Sequence, residues 1–191
     1  MIKTGIFGGS FNPIHNGHIS LARQLKEKAG LDEVWLMVSP QNPMKQQVDL
    51  LSDEARLQMA RLALEHVTGI IACDYEMHLP KPSYTWLTLQ ALSRDYPDRQ
   101  FVLMIGGDNW AIFHRWYHAD DILQNYQVVV YPRRDEQSEI KVLPNNVTMV
   151  EAELLDVSST EIRQRLREGR SIQKLVPPPV AAFIKQEGYY V

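Results

Sequence analysis

The sequence predicts a doubly wound α/β fold: a parallel sheet with helices on both faces, followed by a helical C-terminal part. Five short runs rich in β-branched, aromatic and other apolar residues recur along the chain, at 2–7, 34–38, 70–73, 101–105 and 128–131. The stretches between them carry apolar residues at helical spacing, and near the C-terminus two helical segments replace the strand pattern. Strands that alternate with amphipathic helices at roughly thirty-residue intervals describe right-handed βαβ units, whose parallel strands are covered on both faces.

Taken in order, residues 2–7 read as the opening strand, and Ala22, Leu25 and Ala29 set the apolar stripe of a first helix. Residues 34–38 give a second strand, and Ala60, Ala63, Leu64 and Val67 mark a second helix. The third strand, 70–73, ends on the single cysteine, Cys73, which reads as an inert core residue. A third helix is expected over 84–96, with strands at 101–105 and 128–131 after it. Ser158 and Glu161 form a capping box, in which hydroxyl and carboxylate both answer unpaired amides, for a helix running to about Glu168. A last helix opens near 176–179, where proline is tolerated in a first turn, and stops before Gly188.

At 191 residues the chain is expected to form a single domain over 1–191. Its 45% apolar and 23% charged residues are those of a folded globular protein. The apolar runs are strand-length, well short of the roughly 20 residues of a spanning helix, and the first residues lack the pattern of a secretory peptide. A cytoplasmic location without membrane contact is therefore expected. A net charge of -3 argues against a protein that wraps nucleic acid. Oligomeric state is not legible, because surface and core apolar residues look alike in a sequence.

In parallel sheets, ligands bind beyond the carboxyl ends of the strands, which directs attention to 8–16, 39–45, 106–109 and 132–134. No Gly-x-x-x-x-Gly-Lys-Ser/Thr loop occurs, and Gly5, Gly8 and Gly9 do not fit the Gly-x-Gly-x-x-Gly fingerprint. The first strand instead runs into Gly8-Gly9-Ser10-Phe11-Asn12-Pro13-Ile14-His15-Asn16-Gly17-His18 and then directly into a helix. The glycines let backbone approach a ligand, and the helix start near Gly17 offers unpaired amides and a positive dipole end to an anion. His15 and His18 add two side-chain donors there, so the run reads as a phosphate cradle. Taken singly, each histidine reads equally well as a capping or surface residue. Zinc is disfavoured, since no third Cys or His lies at a suitable spacing.

The run from Gly8 to His18 resembles the signature of the nucleotidyltransferase superfamily with its His-x-Gly-His motif. Ser158-Ser159-Thr160-Glu161-Ile162-Arg163 resembles the second motif of that superfamily, Ser-x-Thr-x-x-Arg. Within it the chain is similar to bacterial-type nicotinate mononucleotide adenylyltransferases. Asn42-Pro43-Met44-Lys45, Ser83-Tyr84-Thr85, Ile105-Gly106-Gly107-Asp108, Trp116-Tyr117, Leu175-Val176-Pro177 and Gly188-Tyr189 carry that similarity. Two positions depart from it: Asn12 stands where the family often has Asp, and Gly107 where Ala is common.

The resemblance implies a Rossmann-like fold and adenylyl transfer from ATP to nicotinic acid mononucleotide, giving nicotinic acid adenine dinucleotide and pyrophosphate in NAD biosynthesis. It assigns ATP to Gly8, Gly9, Ser10, Phe11, His15, Gly17, His18, Gly106, Asp108, Ser159, Thr160 and Arg163, with Asp108 on ribose hydroxyls. It makes His15, His18, Lys45 and Arg163 the catalytic set. Lys45, Tyr84, Thr85, Trp116 and Arg133 would serve the mononucleotide, although Arg133 and its neighbour Arg134 read equally as exposed turn residues. Trp116 is the expected stacking residue and, without its motif, would read as core. Arg163, Arg167 and Arg170 share an expected helical face, of which only Arg163 belongs to the motif. With no carboxylate cluster to cage a metal, Mg²⁺ is expected to arrive with ATP. The alternatives are another adenylyl- or cytidylyltransferase of the superfamily, acting on phosphopantetheine or a polyol phosphate, and a nucleotide-sensing module without turnover.

Overall fold

A computed structural model describes residues 1–40, 49–132 and 143–191; Lys45, Arg133 and Arg134 lie outside the described residues. Strands Ile2–Gly9 (β1), Glu33–Val38 (β2), Ile70–Cys73 (β3), Arg99–Gly106 (β4), Gln127–Tyr131 (β5) and Val147–Met149 (β6) form one sheet. Its order is β3-β2-β1-β4-β5-β6, and every neighbouring pair is parallel. Five strands lie where the sequence predicts them. β6 was not predicted: at three residues, two of them exposed, it carries no readable alternation.

Helices Asn16–Lys28 (α1), Asp53–Leu64 (α2), Thr85–Asp95 (α3), Gly107–Ala111 (α4), Ala119–Asn125 (α5), Ser159–Arg167 (α6) and Pro178–Glu187 (α7) cover the sheet. β2 shows how the two faces divide. Val34, Leu36 and Val38 pack on one side with Leu25 of α1, Met59 of α2, Ile162 of α6 and Ile184 of α7. Trp35 and Met37 pack on the other with Leu89 and Leu92 of α3 and Ile122 of α5. This is the period-two alternation of a strand buried on both faces, and each large side chain so buried contributes about 1.5–3 kcal/mol.

The helix ends follow local chemistry. Ser52 caps α2 by accepting from Ala55 N, with Asp53 and Glu54 in the first turn where the dipole favours them. α7 opens on proline and closes at Gly188, whose φ of 64° is the left-handed conformation glycine adopts most readily. Cys73, at the end of β3, is half-buried rather than fully in the core. Burial pushes its thiol up to about 11, so little thiolate forms near neutrality. No described helix is long and apolar enough to cross a membrane.

Strand order reverses between β1 and β4. The chain runs outward one way through β2 and β3, then returns and runs the other way through β5 and β6. Such a reversal opens a crevice at the carboxyl ends of its two central strands, where loops diverge to opposite faces.

Candidate active site

The β1 end is shaped for close approach. Gly8 is exposed, and among the described residues the nearest atom to a Cβ placed there is Ser39 Oγ, 3.8 Å away, so a side chain would project into open space. A Cβ at Gly9 would instead press on the Phe11 ring at 3.0–3.3 Å. Phe11 takes φ 48°, uncommon for a non-glycine residue, and sets its ring edge-on to Phe7 and to His18.

α1 begins immediately afterwards with a reciprocal cap built from histidines. His15 N donates to His18 Nδ1 at 3.2 Å, His18 N donates to His15 Nδ1 at 3.4 Å, and the rings stack with centroids 3.6 Å apart. Because each Nδ1 accepts from a main-chain amide, each neutral ring carries its proton on Nε2 and is a donor there. Gly17 is fixed by packing, since a Cβ would lie 2.9 Å from Val157 Cγ1 and 3.0 Å from the His15 ring.

The start of α6 is built differently. Ser158 Oγ accepts from Glu161 N at 3.1 Å, but the Glu161 carboxylate takes Arg165 Nε at 2.9 Å. The expected Ser158–Glu161 box is thus half formed, because a partner one turn along the helix competes for the carboxylate. Ser159 Oγ donates to Pro13 O at 2.9 Å. Arg163 Nη1 donates to Asn12 O at 2.7 Å and Nη2 to Thr160 Oγ1 at 3.3 Å. Arg167 pairs with Asp49, while Arg170 lies beyond the helix and pairs with Glu168, so the three arginines do not form one helical face.

Between the two helix starts lies a cavity of about 470 Å³, within the range of small-molecule sites. Of the residues singled out in the sequence, Gly8, Gly9, Ser10, Phe11, Asn12, His18, Ser83, Thr85, Ile105, Trp116, Ser159, Thr160 and Arg163 line it together. His15, Gly17, Tyr84, Gly106 and Asp108 are outside that lining. His15 is 6% exposed and stacked against His18. Tyr84 caps α3 without a side-chain cap bond, its ring 5.0 Å from Tyr117. Gly106 caps α4, and Asp108 sits in the first turn of that helix, beside Asn109, which does line the cavity. Trp116 packs 5.1 Å from Phe113, and its buried Nε1 has no hydrogen-bond partner among the described residues.

Two residues that sequence reasoning missed shape the walls. Arg56 of α2 is fully buried and donates to Ser10 O, Ser39 O and Leu51 O at 2.7–3.0 Å while pairing with Asp53 at 2.6 Å. Burial pulls its pKa down and Asp53 opposes that. Three carbonyls from the β1–α1 and β2–α2 connections thus converge on one cation, which ties the β1 loop to the β2 end. Leaving such a buried charge without its partners costs about 3–5 kcal/mol. Glu76 is buried and accepts from Ser39 Oγ at 2.6 Å and Thr88 Oγ1 at 2.9 Å, forming a polar side of the cavity. Nothing in the sequence marked either one: Arg56 lies within α2 and belongs to no motif, and Glu76 falls in a short 3-10 turn. Among the described residues no group of three or more His, Cys, Asp or Glu is arranged to hold a metal ion.

The sequence profile of the cytidylyltransferase-like family matches residues 6–165. A Bacteroides fragilis protein named "probable nicotinate-nucleotide adenylyltransferase" is 47% identical over 185 residues, covering 97% of this chain and 92% of that one. A Flavobacterium johnsoniae protein of the same name is 41% identical over 192 residues, covering 99% of each. Among solved structures, Plasmodium falciparum nicotinic acid mononucleotide adenylyltransferase complexed with NaAD aligns with a TM-score of 0.83 at 19% identity, over 100% of this chain and 98% of that one. That likeness concerns the fold. All residues lining the cavity fall inside the stretch matched by the family profile, and the chain belongs to the cytidylyltransferase-like family.

Proposed function

We propose that this chain transfers the adenylyl group of ATP to the phosphate of nicotinic acid mononucleotide, forming nicotinic acid adenine dinucleotide and pyrophosphate. The observation that carries this reading is the convergence of two helix starts on one cavity, through His18 on one side and Ser159, Thr160 and Arg163 on the other. The near full-length similarity to proteins named for this reaction supports the choice of acceptor.

The nucleophile is the phosphate of the mononucleotide, which has a second pKa of about 6, is mostly ionised at neutral pH and needs no protein base. One of its oxygens attacks the α-phosphorus of ATP. The bond from that phosphorus to the bridging oxygen breaks, and its electron pair leaves with pyrophosphate. The task of the protein is then to align the two phosphates and to meet the negative charge that moves onto the leaving group. In this reading the His18 Nε2 proton and the positive end of the α1 dipole meet the ATP phosphates, while Ser159, Thr160 and Arg163 hold the β- and γ-phosphates. His15 acts one layer behind: its main-chain amide, donating to His18 Nδ1, fixes the tautomer of His18, and its ring stacks on the His18 ring. Lys45 and Arg133, outside the described residues, belong to the reading through the family resemblance alone. Mg²⁺ enters as part of the substrate Mg-ATP, held by phosphate oxygens and water, where it offsets phosphate charge.

At the other end of the cavity, the start of α3 offers amides and the Thr85 hydroxyl to the negative nicotinate carboxylate, and Trp116 offers a ring face to the pyridine. Asp108, near the cavity-lining Asn109, is assigned to ribose hydroxyls. The test is pyrophosphate release from Mg-ATP with nicotinic acid mononucleotide and with its uncharged amide counterpart. The expected kcat/KM for the amide is lower by at least about tenfold. Equal efficiency would refute carboxylate recognition at α3.

A further inference from the structure

We propose that Asn12 and Tyr190 form a latch that holds the β1 loop and Arg163 in register, making the last residues of the chain positioning residues for the ATP half of the site. The proposal rests on the functional reading above, and its binding test is independent of turnover.

Asn12 is buried and joins four separate segments. Its Oδ1 accepts from the Tyr190 hydroxyl at 2.6 Å and from Leu51 N at 3.3 Å. Its Nδ2 donates to Asp49 O at 2.9 Å, and its main-chain oxygen accepts from Arg163 Nη1 at 2.7 Å. A main-chain amide on one side and a main-chain carbonyl on the other fix which end of the side chain is which. Both ends of the amide are therefore in use. An ionised aspartate would keep the acceptor, lose the donor to Asp49 O, and place a negative charge beside that carbonyl. This gives a physical reason for Asn at a position where the family often has Asp.

Tyr190 reaches Asn12 across 178 residues of chain. It does so just after Gly188 ends α7, and it takes φ 65° itself, a conformation that non-glycine residues adopt rarely and that tertiary contacts must hold. Burial raises the pKa of its hydroxyl, against the pull of Arg163 and Arg56, so it remains a donor throughout the neutral range. Arg56 holds the same β1 loop through Ser10 O. Asn12 thus links the tail to the main-chain oxygen that anchors Arg163. If the hydroxyl bond is removed, Asn12 and Arg163 loosen together, whereas Thr85, at the start of α3, and Trp116 lie on other elements of the cavity wall.

The test compares wild type with Tyr190→Phe and Asn12→Asp, by titration of Mg-ATP and by initial rates with each substrate varied. Each variant should weaken the Kd and KM for ATP about five- to tenfold. The KM for the mononucleotide should stay within about twofold of wild type. Tyr189→Phe, whose ring packs against Phe183, should leave all of these unchanged. Wild-type ATP affinity in either variant, or a loss shared equally by both substrates, overturns the latch. Should Asn12→Asp not fold, Tyr190→Phe, which removes a single oxygen, decides the matter alone. Failure of the wild-type chain to turn over the mononucleotide would overturn the reaction, and the ATP titration would still decide the latch.

Discussion

The two helix starts that face the cavity reach the same end by opposite means. At α1 the two histidines are secured within four residues, as His15 and His18 cap each other's amides and stack. α6 is secured from far away in sequence, with Ser159 and Arg163 bonded to main-chain oxygens of Pro13 and Asn12, roughly 150 residues earlier. The His15–His18 pairing is therefore local, although Asn16 at the same helix start also donates to Leu175 O and Lys174 O, whereas the Ser159 and Arg163 donors of α6 are held by docking against the β1 loop. On this account α1 sets the chemistry and α6 sets the grip on the nucleotide.

The largest effects test this division directly. His18→Ala removes a preorganised donor and should lower kcat by about 10²- to 10³-fold; a fall below about tenfold would reduce His18 to a structural residue. Arg163→Ala should act mainly through the KM for ATP, with Arg163→Lys restoring little because an ammonium cannot reproduce the planar two-sided contacts of the guanidinium. A kcat defect in Arg163→Ala at unchanged ATP affinity would break the distinction between the two starts. The smallest effect is expected from Ser158→Ala, which removes the cap on Glu161 N. Thermal or denaturant unfolding should show a loss of about 1 kcal/mol. Saturating turnover should hardly change, since Ser158 lies outside the cavity lining.

Much of this molecule could be read from the sequence because its strongest signals are local. The β2 run is apolar on both faces and long enough to be unambiguous, and the stripe of α1 and the proline and glycine bounding α7 are equally plain. α4 and α5, of five and seven residues, and β6, of three, are too short for any period to emerge. The box predicted at Ser158 formed only in part, since Glu161 had Arg165 as a rival partner. The complete box stands at α1, where histidines replace the usual hydroxyl and carboxylate and so escape the usual pattern. Arg56 could not be read at all, because only the folded path brings the Ser10, Ser39 and Leu51 carbonyls around it. At the β4 end the sequence drew attention to 106–109, and there Asn109 rather than Asp108 lines the cavity.

The most direct test of the account is an experimental structure with a non-hydrolysable ATP analogue and Mg²⁺. The account predicts the β- and γ-phosphates between the first turn of α1 and the Ser159–Thr160–Arg163 edge of α6, within hydrogen-bond reach of His18 and Arg163. A triphosphate bound with no contact to either helix start would contradict it.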